Sequence, residues 1–128
     1  FTKRGPTQQE NADIEYGIEI ARKIADYDIG QTVAVKNKNV LAIEGMEGTD
    51  SAIRRAGELA HDGFVVVKMA RPRQDMRWDV PIVGESTIKS IAQAGGTALA
   101  MESGKMFFIE RDAALGLADR QNICIIAK

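Results

Sequence analysis

Residues 64–70 read FVVVKMA, and no other segment limits the fold as strongly. Three consecutive valines without polar alternation suit a strand whose side chains are buried on both sides of a sheet. Such a strand needs a covering layer on each face, and the flanking segments have helical period. Ile14, Gly17, Ile18, Ile20, Ala21, Ile24 and Ala25 recur at helical spacing as far as about Tyr27. Thr7 stands before them with Glu10 at the capping-box spacing. TVAVKNKNVLAIEG reads as two strands turning at NKN, and GTDSAIRRAGELAHDG as a helix stopped at Asp62 and Gly63. After PIVG, the stretch STIKSIAQAGG reads as a helix closed by Gly95 and Gly96. TALAMESGKMFFIE is expected to form a second strand pair turning at Ser103 and Gly104. RDAALGLADRQN is a last helix and ICIIAK a terminal strand. The expected fold class is therefore α/β, one layered domain over 1–128 with a mainly parallel or mixed sheet covered by helices. It is built from two hairpin–helix–strand units, with residues 1–8 as a tail or linker.

The balance of charge narrows the function. Lys and Arg total 17 against 18 Asp and Glu, a net charge of −1, so the global basic footprint of a nucleic-acid binder is missing and no nucleic acid is expected. The single cysteine, Cys124, lies in the apolar run ICIIA. It has no internal disulfide partner and is expected as a buried, reduced thiol of a cytoplasmic protein. No stretch approaches the roughly 20 apolar residues of a spanning helix. No signal peptide is read at the start, where FTKRGPT opens abruptly, as an excised fragment would.

Charge is concentrated in RPRQDMRWDVP, residues 71–81. Pro72 and Pro81 disfavour a helix. In an extended segment Arg71, Arg73, Asp75, Arg77 and Asp79 fall on one face, and Ala70, Pro72, Gln74, Met76, Trp78 and Val80 on the other. A mostly apolar side can then pack while guanidiniums and carboxylates face a phosphorylated ligand. The alternative is a solvated loop of self-paired charges, whose exposed ion pairs are worth little. Its place directly after a buried strand, with Lys68 at the strand's end, favours a ligand site, since open α/β sheets bind ligands beyond the carboxyl ends of their strands.

Two turns add to this. In AIEGMEGTDSAI a strand enters a glycine-bearing turn that opens a helix at Thr49 or Asp50, where free N–H groups and the helix dipole attract anions. Gly45 and Gly48 allow close approach of a ligand. Glu44, Glu47 and Asp50 would repel a bare phosphate unless a divalent cation intervenes, and Mg²⁺ held by one or two carboxylates and substrate oxygens fits that composition. An ordinary capped helix is the alternative. VGESTIKS repeats the turn-to-helix pattern, with Ser86 or Thr87 as the cap. SGKM lacks the remaining residues of a phosphate-binding loop, no GxGxxG occurs, and His61, the sole histidine, reads as part of a helix C-terminus. Catalysis would rest on carboxylates, lysines and arginines.

EGTDSAIRRAGEL, KMARPRQDMRWDVPIVG and ADRQNICII together resemble the C-terminal domain of the UDP-2,3-diacylglucosamine pyrophosphatase family of lipid A biosynthesis, the type distinct from the calcineurin-like enzyme. The similarity runs from about Lys3 to the last strand. Its core signature is matched by Lys68, Arg71, Pro72, Gln74, Asp75, Arg77, Trp78, Asp79, Pro81, Val83 and Gly84, with Trp78 where members usually carry Phe. Glu47, Gly48, Thr49 and Asp50 match a second motif. The resemblance implies Mg²⁺-dependent hydrolysis of the diphosphate of UDP-2,3-diacylglucosamine to UMP and 2,3-diacylglucosamine 1-phosphate. The setting it implies is cytoplasmic, in peripheral contact with the inner face of the bacterial inner membrane. It implies Asp75 as the catalytic residue. Lys68, Arg71, Gln74, Arg77, Asp79, Gly48, Thr49, Gly84 and Thr87 are the substrate-binding candidates, and Asp50 and Glu47 the metal candidates. Family enzymes carry a separate N-terminal domain that helps enclose the substrate, so this chain would be the C-terminal catalytic half, with little activity alone. A non-catalytic nucleotide- or phospholipid-binding module is the other function the same residues fit.

Overall fold

The computed structural model describes residues 1–72 and 81–128. Its elements are α1 (Gln8–Asp26), β1 (Thr32–Lys36), β2 (Asn39–Ile43), α2 (Thr49–Ala60), β3 (Val65–Lys68), β4 (Ile82–Val83), α3 (Glu85–Ala94), β5 (Ala98–Met101), β6 (Phe107–Phe108), α4 (Arg111–Arg120) and β7 (Cys124–Ala127). Five strands form one mixed sheet in the order β2-β1-β3-β5-β7. β1 is antiparallel to both β2 and β3, whereas β3, β5 and β7 pair in parallel. Hence β2, β3, β5 and β7 share one direction, and their carboxyl ends define one edge of the sheet. β1 begins at that same edge.

The continuous valine run is explained by its position. β3 lies third of five strands, and successive side chains leave on opposite faces. Val65 and Val67 join Ile14, Ile18, Ala21, Val33, Val35, Ala98 and Ala100 under α1. Val66 joins Ala34, Ile53, Ile88, Leu99 and Ile125 beneath the other helices. The α/β layering expected from the sequence is present.

Local sequence chemistry positions these layers. Thr7 Oγ1 accepts from the Glu10 N–H at 3.1 Å while Glu10 Oε1 accepts from the Thr7 N–H at 2.8 Å, the reciprocal capping box. One turn on, buried Asp13 accepts from the N–H groups of Asn37 and Lys38 at 3.0 and 2.9 Å. Those two residues have φ of 53° and 57°, the left-handed pair that a tight β1–β2 hairpin requires. α1 thus clamps the turn read from NKN. On the other face α2 and α3 approach closely at Gly57, where an added Cβ would lie 2.6 Å from Ala94 O.

Three expectations are corrected. β5 and β6 do not form a hairpin, so the second hairpin–helix–strand unit does not exist as such. β5 is bordered by β3 and β7, leaving no free edge for β6, which pairs in parallel with β4 in a separate two-stranded sheet. Neither Thr49 nor Asp50 caps α2, and neither Ser86 nor Thr87 caps α3. The N-cap residues are Gly48 and Gly84, and among the described residues no side chain makes a cap hydrogen bond at either helix. The opening segment, expected as a tail or linker, is docked beside β7: Ile125 N–H donates to Thr2 Oγ1 at 3.0 Å, and Arg4 Nε donates to Asn122 O at 3.1 Å. Cys124 is buried, as expected.

Candidate anion site at the carboxyl edge of the sheet

Lys68 ends β3 at the carboxyl edge, only 7% exposed. Its ammonium donates to Ile82 O in β4 at 3.0 Å and to Thr49 Oγ1, in the first residue of α2, at 3.4 Å. Because β4 leads directly into α3, this one side chain draws the starts of two helices together. Ser90 Oγ in α3 donates to Asp50 Oδ1 in α2 at 2.9 Å, a second tie between them. The first N–H groups of each helix lack intrahelical acceptors. With glycine at both N-caps, no cap side chain takes their place. Gly48 has a φ of +89°, and an added Cβ there would meet none of the described residues within 4 Å. Two helix N-termini and a lysine at one edge make a site for anionic oxygens.

Burial pushes the Lys68 ammonium below its ordinary pKa, while the Glu44 and Asp50 carboxylates partly restore it. Among the described residues no carboxylate lies within salt-bridge distance of Lys68. Its two hydrogen-bond partners among the described residues are neutral oxygens.

The sequence candidates divide. Lys68, Gly48, Thr49, Asp50, Gly84 and Thr87 gather at this edge. Thr87 is buried in the first turn of α3, its N–H donating to Gly84 O at 3.1 Å. Arg71 points elsewhere: its Nε lies 3.5 Å from Asp28 Oδ1, beyond the C-terminus of α1. Glu47 is paired with Arg55, whose Nη2 also donates to Ile43 O. Gln74, Asp75, Arg77 and Asp79, and with them the alternating charged face, lie outside the described residues. Their flanks are at this edge, since the chain leaves from Lys68 and returns at Pro81 and Ile82.

Mg²⁺ was expected on Glu47 and Asp50. Glu47 is committed to Arg55 and Asp50 accepts from Ser90. Among the described residues no group of three or more His, Cys, Asp or Glu is placed to hold a metal ion. The described residues therefore do not fit a Mg²⁺ site by themselves.

Glu44 was missed as a separate participant. It had been grouped with Glu47 and Asp50 as an acid facing the ligand, but it is buried, 7% exposed, behind Thr49. Thr32, its neighbour in β1, was also missed. The signal was available: Ala42 and Glu44 are two residues apart and so share the inward face of β2 and its extension.

A family model described as the LpxI C-terminal domain matches residues 1–126. The chain belongs to this family. It is also 34% identical, over 97% of its length, to the UDP-2,3-diacylglucosamine pyrophosphatase LpxI of Caulobacter vibrioides. It spans 47% of that relative, about half its length. Among the described residues no helix is long and apolar enough to cross a membrane.

Proposed function

We propose that this chain is the C-terminal half of a hydrolase that cleaves the diphosphate of UDP-2,3-diacylglucosamine, and that the Lys68 edge receives the diphosphate. The observation that carries this reading is the buried Lys68 ammonium, with no carboxylate of the described residues at salt-bridge distance, set between two helix N-termini whose N-cap residues are glycines. In the reaction water adds to one phosphorus, the bridging P–O bond breaks, and the two products leave as UMP and 2,3-diacylglucosamine 1-phosphate. Negative charge grows on the phosphoryl oxygens in the transition state. Fixed N–H dipoles and an ammonium in a partly dry site stabilise that charge without having to reorient.

In this reading Asp75 orients the attacking water and takes its proton. Lys68 and the N–H groups at the α2 and α3 N-termini, opened by Gly48 and Gly84, bind phosphate oxygens, with Thr49 receiving Lys68 and Thr87 supporting the α3 turn. Arg71, Gln74, Arg77 and Asp79 complete substrate binding. A Mg²⁺ requirement belongs to the proposal. So does a cytoplasmic setting in peripheral contact with the inner face of the inner membrane, where a lipid-linked substrate resides. The remaining half of the protein would enclose the acyl chains.

The test is hydrolysis by the full-length protein carrying Asp75→Asn. The expected result is an intact fold, retained substrate binding, and kcat and kcat/KM lowered together by about 10²–10⁴, the range for losing a positioned acid–base group. Near-normal kcat in the folded variant would remove Asp75 from catalysis. A wild-type protein that binds the substrate with Mg²⁺ present and never hydrolyses it would favour the binding-module reading.

A further inference from the structure

We propose that Glu44 is a positioning residue for this site, the buried carboxylate that, through the Thr49 hydroxyl, aims Lys68 at the bound diphosphate. The inference rests on the Lys68 edge being the diphosphate site. Glu44 follows β2 directly, and both its oxygens are engaged: Oε1 accepts from the Gln31 N–H at 2.9 Å and Oε2 from Thr49 Oγ1 at 2.6 Å. Its backbone is fixed as well. The Glu44 N–H donates to Thr32 O at 2.9 Å, and its carbonyl lies against Gly30, where any Cβ would fall 2.0 Å from Glu44 O. Only glycine permits that approach, so the carboxylate is seated by the main chain on both sides.

Proton direction follows from these distances. A hydroxyl has one proton, and the short contact to a carboxylate is where Thr49 spends it. The lone pairs of Thr49 Oγ1 are then turned to the Lys68 ammonium and to Thr32 Oγ1, each 3.4 Å away. Glu44 therefore orients the hydroxyl, and the hydroxyl receives the lysine. Its negative charge also opposes the effect of burial on Lys68 and so favours the charged form of the amine.

Among the described residues, the other charged groups near Lys68 do not duplicate this role. Asp50, on α2, also favours the charged lysine but is itself exposed and bonded to Ser90. Glu102, after β5, directs its carboxylate to the Ala70 N–H and to Lys105. Arg71 faces Asp28. Thr32 on β1 and Ile82 O on β4 are neutral. A structural carboxylate would only hold the β2–α2 turn, whereas a positioning one sets the charge of Lys68.

Full-length protein with isotope-labelled lysine side chains separates the two, the Lys68 signal being assigned with Lys68→Arg. Glu44→Gln keeps the shape and the bond from Gln31 and removes the charge. In this variant Lys68 is expected to lose its proton at lower pH than in the wild type. The alkaline limb of kcat/KM should move the same way, so that activity falls about tenfold further at alkaline than at neutral pH if the limb moves by one pH unit. Glu44→Asp, which keeps the charge one methylene farther back, should give a smaller displacement, and it carries the same test if Glu44→Gln does not fold. A folded variant with Lys68 titration unmoved overturns the proposal. A displaced titration with an unmoved kcat/KM profile overturns the reading of this edge as the reaction site, and Glu44's role in hydrolysis with it.

Discussion

Two buried carboxylates on opposite edges of the sheet show how differently one residue type is used. Glu44 stands behind Lys68 at the carboxyl edge. Glu10 lies at the other edge, held by both Arg4 Nη atoms at 2.7 and 2.8 Å and by the Thr7 N–H. Burial alone would raise the Glu10 pKa, but Arg4, Thr7 and Thr97 outweigh it and bring it from 4.5 to about 2. A folded-state pKa below the unfolded one means stability that is fully present above about 4.5 and lost as pH falls towards about 2. Glu10→Gln should therefore lower Tm at neutral pH, with the difference from wild type shrinking across that window. A Tm difference independent of pH would show that Glu10 acts only as a helix cap. The Thr7–Glu10 pair was legible because it is local, three residues apart in a known cap. Glu44 was not, because its meaning depends on Gly30, Thr32 and Lys68, which other strands bring to it.

Among the elements, α2 and α3 matter most, since their N-termini form the site and their bodies fix its width. They meet where Gly57 passes Ala94 O. Gly57→Ala places a methyl against backbone and should cost about 1–3 kcal/mol in stability, the usual effect of overpacking. It should also raise KM by spreading the two N-termini. Gly5→Ala, where an added Cβ meets nothing within 4 Å, is the near-neutral control in a thermal melt. Unchanged Tm and KM in Gly57→Ala would mean that the helix spacing does not set the site. The helices and the first hairpin were readable from period and turn chemistry. The false second hairpin came from treating sequence neighbours as sheet neighbours. ALAM is apolar throughout, as the valines of β3 are, and that pattern marks a strand flanked on both edges, with no place for a hairpin partner.

At the scale of the whole molecule, strand direction explains why the site is where it is. Two antiparallel steps, β2 to β1 and β1 to β3, bring β2 back into line with β3, β5 and β7. The turn after β2 and the chain leaving β3 therefore share an edge, although 19 residues separate Thr49 from Lys68. The shared edge was legible once both strands were read as parallel. What lay beyond the sequence was the convergence of the two uncapped helices on one lysine, because cap-forming residues stand at both helix starts and the fold leaves them unused as caps. The central claim is that this edge binds the diphosphate, and it is tested most directly by titrating full-length protein with UMP, one of the proposed products, while following backbone amide shifts by NMR. The expected result is that Thr49, Asp50, Ser51, Glu85 and Ser86 shift most, and that Lys68→Met abolishes the response while the fold is kept. Shifts clustered instead around Arg4, Gly63 and Thr97 at the opposite edge, or a response that survives in Lys68→Met, would contradict it.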